Sequence, residues 1–279
     1  MTDRLIPNGE YVTINNQKIH IYKNGNKDKP KLVFMSGSGT VAPVYDFKVL
    51  YEKLIENYRI IVIEKFGYGY SDITDYPCDI DSLVELQRQV LELSNESGPY
   101  ILVSHSASGL EAIRWEQKYP NEVKAIIGID MTNPFTYKNW SSEQIDQRIK
   151  LMKKGQKIGI YKLLSCKINR SLTKEEILQQ KLLRKRNAFN KCYINEAKEV
   201  LNNSSIVENG KSIECPILLF VSNGKQTSKN WIYSQNEFAN KVNAEVIHYD
   251  CGHYMHYYKS NEICNDIKKF INKLKLSED

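Results

Sequence analysis

The stretch PYILVSHSASGLEAI, residues 99–113, changes character at its middle and decides how the surrounding chain folds. Its first part is apolar and β-branched, which is typical of a buried strand, and its last part has the apolar spacing of an amphipathic helix. Small and polar residues stand between the two parts, with Ser106 at their centre. The stretch therefore predicts a strand, a tight turn and a helix, and it leaves two interpretations of Ser106, as a nucleophile or as part of a structural turn.

Strand-like and helix-like segments alternate on both sides of this stretch. Two runs near the start, EYVTINN and QKIHIYKNG, indicate a hairpin. Three further apolar runs indicate buried strands beside the one at 99–105, namely PKLVFMSG, YRIIVIEKFG and VKAIIGIDMT. Segments with helical spacing separate them, and Asp79 and Asp81 are candidate N-caps of one such helix. Strands that alternate with helices predict an α/β fold, with a mostly parallel sheet covered by helices on both faces.

The alternation stops at 134–212, where the segments are helical, polar and rich in lysine. This part holds 17 Lys and Arg against 7 Asp and Glu, a formal charge of +10, whereas the whole chain carries +6. Strands and helices return after it, at CPILLFVSNG, WIYSQNEFANKV, AEVIHYDCGH and NEICNDIKKFINKL. We therefore predict a core formed by residues 1–133 and 213–279, with a helical insertion at 134–212. A solvated helical surface explains the charge more simply than a functional basic patch.

The composition is that of a soluble globular protein and argues against several other classes. Hydrophobic residues make up 41% and charged residues 26% of the 279 residues, so disorder is not expected. No apolar run approaches the length of a membrane span, and the N-terminus lacks a basic start followed by an apolar core. We therefore expect a cytoplasmic protein without membrane insertion. Aromatic residues are not interleaved with basic ones in a nucleic-acid-binding motif, so nucleic acid is not an expected partner.

The six cysteines are scattered along the chain without a CxxC pair, which indicates reduced thiols rather than a disulfide framework. The segment CGHYMH brings Cys251, His253 and His256 close together in sequence, which is one feature of metal sites. A second cluster of ligands that would complete a tetrahedral set is missing from the sequence, so no metal is expected.

Four short motifs follow strand-like segments in a fixed order: SGSG at 36–39, EKFGYGYS at 64–71, SHSAS at 104–108 and CGHYMH at 251–256. Together they resemble the α/β-hydrolase fold superfamily over essentially the full length of the chain. The resemblance implies an α/β sheet of the eight-stranded type. It also implies that the insertion at 134–212, after the sixth strand, is a helical cap over the active site.

By this resemblance, the turn after the fifth strand is a nucleophile elbow and Ser106 is the attacking residue. An elbow requires small residues two positions before and two positions after the nucleophile, because strand and helix approach each other closely there. Ser104 and Ser108 stand at these positions, where the superfamily usually has glycine. Gly109 is a further small residue at the start of the helix.

Two of the other motifs supply the implied base and oxyanion hole. His253 follows a strand-like segment and precedes the last helix, where the superfamily has its catalytic histidine. The backbone N–H groups of Ser38 and Ala107 are implied as the donors that hold an oxyanion, one from the loop after the third strand and one from the residue after the nucleophile.

The acid that orients the base is missing from its commonest position in the superfamily. The loop after the seventh strand, residues 216–231, contains neither Asp nor Glu, and Asn223 is its nearest isostere. Asp130 stands at the end of the sixth strand, from which some members of the superfamily draw their acid. Asp130 also preserves the chain order of nucleophile, acid and base, so it is the predicted acid.

These residues predict a serine hydrolase that cleaves a small carboxylic ester, lactone or thioester through an acyl-enzyme. Two alternatives remain, an aminopeptidase acting on short peptides and a ligand-binding or signalling member of the fold with little turnover. The chemistry requires no cofactor, the expected partner is a small-molecule substrate, and the oligomeric state is left open. Aromatic residues of the insertion either line the pocket or pack in its core: Phe135, Tyr137, Trp140, Tyr161, Phe189 and Tyr193.

Overall fold

Eight strands form a single sheet in the computed structural model, which describes residues 4–159 and 171–276. The strands are β1 (Glu10–Ile14), β2 (Gln17–Asn24), β3 (Lys31–Met35), β4 (Arg59–Glu64), β5 (Tyr100–His105), β6 (Val123–Ile129), β7 (Ile217–Val221) and β8 (Glu245–His248). Their order across the sheet is β1-β2-β4-β3-β5-β6-β7-β8. β2 pairs antiparallel with both β1 and β4, and the pairs from β4 to β8 are all parallel. The predicted α/β fold with a mostly parallel sheet is confirmed.

Helices cover both faces of this sheet. They are α1 (Pro43–Asp46), α2 (Lys48–Leu54), α3 (Ile80–Leu93), α4 (Ser108–Lys118), α5 (Pro134–Tyr137), α6 (Ser142–Ile158), α7 (Lys174–Asn187), α8 (Lys191–Glu208), α9 (Trp231–Val242) and α10 (Ser260–Leu276). Short 3₁₀ turns stand at Pro120–Glu122 and Met255–Tyr257.

Alternate residues of the strands supply two separate cores, one on each face. In β4, Ile61 and Ile63 pack on the face that α3, α4 and α9 cover, whereas Ile60 and Val62 pack on the face that α1, α2 and α10 cover. All of these side chains are buried. Because both faces of the sheet are covered, the strands are apolar at nearly every position instead of alternating with polar residues.

The parallel strands bring three of the predicted site segments to one edge of the sheet. β5 lies between β3 and β6, and all three strands run in the same direction. The SGSG motif follows β3, Ser106 follows β5 and Asp130 follows β6. Their positions at the carboxyl ends of neighbouring strands agree with the general rule for ligand sites in open α/β sheets.

Helices α5 to α8 occupy the part of the chain between β6 and β7. α6 and α7 each begin at a capping box, formed by Ser141 with Gln144 and by Thr173 with Glu176. α8 packs against α3 and α4, so the insertion rests on the helices that follow β4 and β5. The division of the chain at 134 and 212 stays a prediction, and Tyr161 and Cys166 lie outside the described residues.

Within residues 4–159 and 171–276, no helix has both the length and the hydropathy that crossing a membrane requires. In the same ranges, His, Cys, Asp and Glu side chains do not gather in threes as metal ligands would. Five cysteines of this part of the chain are free thiols: Cys78, Cys192, Cys215, Cys251 and Cys264.

Candidate active site

Ser106 stands at the sharp turn between β5 and α4 in a backbone conformation that L-residues seldom adopt. Its φ is 55°, in the left-handed region, and non-glycine residues in this region cluster at functional sites. Three hydrogen bonds hold its carbonyl oxygen, from the backbone N–H groups of Gly109 (3.0 Å) and Thr132 (2.8 Å) and from the Thr132 hydroxyl (3.2 Å). The structure around the turn thus enforces the strained conformation.

The small residues around the turn each have a steric or hydrogen-bonding reason. A Cβ on Gly37 would lie 2.5 Å from the Ser106 Cβ, and one on Gly109 would lie 2.0 Å from the Thr132 carbonyl oxygen. Ser108 does more than fit, because its hydroxyl contacts the Met35 carbonyl at the end of β3 (2.7 Å) and accepts from the His105 N–H (3.1 Å). The Ser108 side chain therefore ties the turn to the neighbouring strand.

Asp130 and His253 form a close pair beside this turn. Nδ1 of His253 lies 2.6 Å from Oδ2 of Asp130, whose side chain is fully buried while that of His253 is 15% exposed. The other carboxylate oxygen, Oδ1, accepts from the Ser222 N–H (2.9 Å) and from Nε1 of Trp231 (2.7 Å). Each oxygen of this buried carboxylate thus has a hydrogen-bonding partner, which a charge removed from water requires.

The loop that lacks a carboxylate contributes the donors that hold Asp130. Ser222 directly follows β7, and Trp231 is the first residue of α9. Asn223, the isostere at the superfamily's usual acid position, instead donates from Nδ2 to Oδ1 of Asp250 (2.9 Å) and is half-buried. The contributions of Ser222 and Trp231 were not predicted from the sequence. A tryptophan at the end of a loop without a carboxylate is the signal that could have suggested one of them.

The ring of His253 packs among aromatic side chains close to the turn. Its centroid lies 4.8 Å from that of His105, the residue before Ser106, and 5.7 Å from Trp231 in an edge-to-face arrangement. Both Ser106 and His253 are described, and no hydrogen bond joins the Ser106 hydroxyl to the imidazole. Catalytic hydrogen bonds of this kind are often long in unliganded enzymes and tighten when substrate binds.

The remaining histidines have structural surroundings. His105 is buried beneath the turn, and Nδ1 of the buried His20 lies 2.9 Å from Glu64. Nε2 of His256, also fully buried, lies 3.4 Å from Oδ2 of Asp46, which accepts a hydrogen bond from the Tyr257 hydroxyl at its other oxygen. His248 ends β8 at an exposed position.

The two implied oxyanion donors line the same cavity as Ser106. Among the described residues, neither the Ser38 N–H nor the Ala107 N–H donates a hydrogen bond, so both are available to a ligand. Ala107 directly precedes the first residue of α4, and free N–H groups at a helix N-terminus favour negative charge.

A cavity of about 600 Å³ opens in front of Ser106. Its walls come from the SGSG loop, from α6 and α7 of the insertion and from the turn after His253, where Tyr254 and Tyr257 stand. Burial raises the pKa of Tyr254 to about 12, so this phenol is neutral at physiological pH. The volume suits a small organic molecule.

The aromatic residues of the insertion divide between lining and packing. Tyr137, Phe189 and Tyr193 line the cavity, and the Tyr193 hydroxyl donates to the Thr40 carbonyl (3.1 Å). Phe135 and Trp140 pack against apolar clusters instead. Burial holds the pKa of Tyr193 well above its ordinary value, so its hydroxyl is a donor and not a charge.

Comparisons with known proteins agree with this architecture. The chain is 31% identical to the uncharacterized protein YbdG of Bacillus subtilis over 96% of this chain and 86% of YbdG. It is 27% identical to epoxide hydrolase 1 of Caenorhabditis elegans over 47% of this chain and 33% of that protein. The structure of a haloalkane dehalogenase variant, DbeA-M1 from Bradyrhizobium elkanii, superposes with a TM-score of 0.73 at 15% identity, covering 96% of this chain and 98% of that one. No protein-family model matches the chain.

The sheet order and the structural likenesses define the fold, which is the α/β-hydrolase fold. The chain belongs to the family of YbdG.

Proposed function

We propose that the protein is a serine hydrolase that cleaves a small carboxylic ester, lactone or thioester. The observation that carries the proposal is the strained Ser106, which lines a cavity together with two free backbone N–H groups and stands beside a buried Asp–His pair. A nucleophile, an orienting acid–base pair and oxyanion donors are the parts that acyl transfer requires.

Each residue has one role in the proposed reaction. The Ser106 hydroxyl attacks the substrate carbonyl while His253 accepts its proton, and the oxyanion that forms is held by the N–H groups of Ser38 and Ala107. His253 then returns the proton to the leaving alcohol or thiol, which departs and leaves an acyl-enzyme. Water repeats the sequence and releases the acid. Asp130 fixes the His253 tautomer and stabilises the imidazolium.

A serine nucleophile distinguishes the proposed reaction from the activities in the names of two similar proteins, the epoxide hydrolase and the haloalkane dehalogenase. If a serine hydroxyl opened an epoxide or displaced a halide from an alkyl carbon, the product would be an ether, which water does not cleave under these conditions. An ester or thioester attacked by serine gives an acyl-enzyme, which the same His253 can hydrolyse. Ser106 therefore favours acyl substrates over epoxides and haloalkanes.

We propose that the insertion at 134–212 is a cap over the active site. Residues of α6 and α7 form part of the wall opposite the turn at Ser106, so these helices select the substrate by shape and charge. The volume of about 600 Å³ favours small acyl groups over long lipid chains.

Hydrolysis of 4-nitrophenyl esters of short acids tests the proposal. We expect wild-type turnover that Ser106→Ala lowers by at least about 10³-fold, because removing the nucleophile disables the whole catalytic unit. Ser97→Ala changes an exposed serine and should keep the wild-type rate, while circular dichroism confirms that both variants fold. Equal rates for wild type and Ser106→Ala would contradict the proposal, and a wild type without turnover would favour a ligand-binding member of the fold.

A further inference from the structure

Two arginines from the insertion line the cavity in front of Ser106. Arg148 belongs to α6 and Arg184 to α7. Arg148 also lines a smaller neighbouring cavity of about 150 Å³, which shares Ser38 and Ala107 with the larger one. Arg148 therefore stands where the two cavities meet, on the walls that also carry the proposed oxyanion donors.

The carboxylates that line these cavities already have partners. In the smaller cavity, Glu111 accepts from Lys65 and from Gln87, both at 2.6 Å. The second carboxylate there, Glu196, accepts from the Tyr68 hydroxyl at 2.6 Å and lies 3.4 Å from the Lys65 ammonium. These acids are therefore poor candidates for binding a substrate cation.

Asp46, the carboxylate in the wall of the larger cavity, is also engaged. It accepts from the Tyr257 hydroxyl and faces the buried ring of His256. The carboxylates on the cavity walls thus interact with other side chains of the protein.

Arg148 differs from these acids because its charge is not balanced by a carboxylate. Throughout the part of the chain that the structure describes, no Asp or Glu oxygen lies within ion-pair distance of its guanidinium, which instead stacks over the Trp140 ring at 4.1 Å. Desolvation lowers the pKa of Arg148 below its ordinary value, so the protein around it disfavours the charge. A bound anion would offset that cost.

We propose that Arg148 binds a carboxylate on the substrate, so that the protein acts on esters or thioesters whose acyl part carries a second, anionic end. This inference rests on the proposed serine-hydrolase function. A planar guanidinium matches a carboxylate with two parallel hydrogen bonds, and among the described residues the Arg148 side chain makes no hydrogen bond that would compete with them. Arg184, which lines the same cavity, adds positive potential.

A pair of matched esters tests the inference. The 4-nitrophenyl monoester of adipic acid and the 4-nitrophenyl ester of hexanoic acid share a leaving group and a chain length and differ in a terminal carboxylate. We expect Arg148→Gln to lower kcat/KM for the adipate monoester by about 10- to 100-fold, the usual value of a hydrogen-bonded charge. The hexanoate ester should keep its wild-type kcat/KM, and Arg148→Lys should restore part of the lost rate.

Lys150→Gln removes the same charge from an exposed position of the same helix and should leave both esters unaffected. If Arg148→Gln lowered kcat/KM equally for the two esters, or for neither, the inference would be overturned. The wild-type rate with the hexanoate ester tests the proposed function separately. Calorimetric titration with free adipate gives a readout that needs no turnover. Wild type should bind adipate and Arg148→Gln should not, and an absence of binding to the wild type would also overturn the inference.

Discussion

The two carboxylate oxygens of Asp130 have different hydrogen-bonding partners. Oδ2 faces Nδ1 of His253, and Oδ1 is fixed by the Ser222 N–H and the Trp231 indole. The residue has a φ of 47°, in the left-handed region that Asp tolerates better than most residues. Its backbone N–H donates to the Phe220 carbonyl (2.8 Å), so the neighbouring strand β7 helps to hold this conformation.

Asp130→Asn is predicted to preserve the fold and to remove most of the activity. The amide oxygen can keep both bonds of Oδ1, but the NH₂ group would then face Nδ1 of His253 and favour the wrong tautomer. We expect kcat for an activated ester to fall by about 10⁴-fold, as the same substitution does in serine proteases. Steady-state kinetics with a matched thermal melt measures this.

Asn223→Ala is the matched control, because Asn223 stands at the superfamily's usual acid position and its side chain is tied to Asp250. It should retain the wild-type kcat. If Asp130→Asn were nearly fully active, or if Asn223→Ala lost activity instead, the assignment of Asp130 as the orienting acid would be wrong.

The sequence indicated which types of residue stand at the site more readily than it indicated their contacts. Ser104 and Ser108 were predicted for their small size, yet the Ser108 hydroxyl also bridges the turn to β3. The Trp231 indole donates to Asp130, which is 101 residues away in the chain. Arg148 lines the cavity, but it belongs to a helical segment whose sequence indicates only a polar surface. Such long-range contacts depend on how elements pack, which local spacing does not specify.

At the scale of elements, α3 and α4 are joined by ion pairs that extend to the turn after α4. Arg88 of α3 donates to both carboxylate oxygens of Glu122 (2.8 and 2.6 Å) and stacks on the Tyr119 ring at 3.5 Å. Glu122 also accepts from Nε1 of Trp115, a fully buried residue of α4. Bidentate geometry and a neighbouring buried donor make this pair stronger than an isolated surface salt bridge.

Glu122→Gln is predicted to destabilise the protein in a pH-dependent way. The Arg88 guanidinium holds the pKa of the Glu122 carboxyl below its ordinary value of 4.5, so the pair adds stability above that pH and loses it as the pH falls through the lowered pKa. At pH 7 we expect a loss of about 1 kcal/mol, which corresponds to a Tm lower by roughly 2–4 °C for a domain of this size. Scanning calorimetry from pH 7 down to pH 3, which extends below the ordinary pKa of the carboxyl, measures the difference.

The difference in Tm between wild type and Glu122→Gln should stay constant from pH 7 to about pH 5 and narrow below pH 4.5, as the carboxyl takes up its proton. Lys150→Gln, a charge removal from an exposed position outside this network, should show no such pH dependence. A gap that stays constant over the whole pH range would mean that the carboxylate charge does not contribute to stability.

Helix boundaries were predictable where a capping residue was visible. Asp79 does cap α3, since its side chain accepts from the Ser82 N–H (3.0 Å), whereas Asp81 forms an ion pair with Arg114 instead. α8 begins at Lys191, because Asn190 caps it through the Cys192 N–H (2.8 Å). A cap signal is local and can be read from sequence, but which of two nearby acids accepts the bond depends on the charges that tertiary packing brings close.

A buried charge cluster joins α8 to α4 and to the loop after β4, three parts that are far apart in the chain. Lys65 follows β4, Glu111 lies on α4 and Glu196 comes from α8, and the side chains of all three are at most 10% exposed. Desolvation raises the pKa of Glu196, and the second carboxylate nearby adds to this, while Lys65 opposes it. The cluster thus holds α8 against α4 by charge pairing as well as by apolar packing.

The fold could be predicted from the sequence because several features indicate the same α/β architecture. These features are the strand and helix periods, the continuous apolar strands and the order of the motifs. The shape of the cavity could not be predicted from the sequence. Its walls combine four separate parts of the chain: the SGSG loop, the turn at Ser106, the insertion and the turn after His253. The way these parts meet decides which acyl groups fit, and it is set by tertiary packing.

We expect the site around it to activate Ser106 and no other serine of the chain. Labelling with a fluorophosphonate tests it most directly, because the probe reacts with a serine that has an adjacent base and not with ordinary hydroxyl groups. Intact-protein mass spectrometry and peptide mapping should find one adduct per chain, on Ser106, and none on Ser106→Ala. An adduct on another residue, or a folded wild-type protein that takes up no label, would contradict the account.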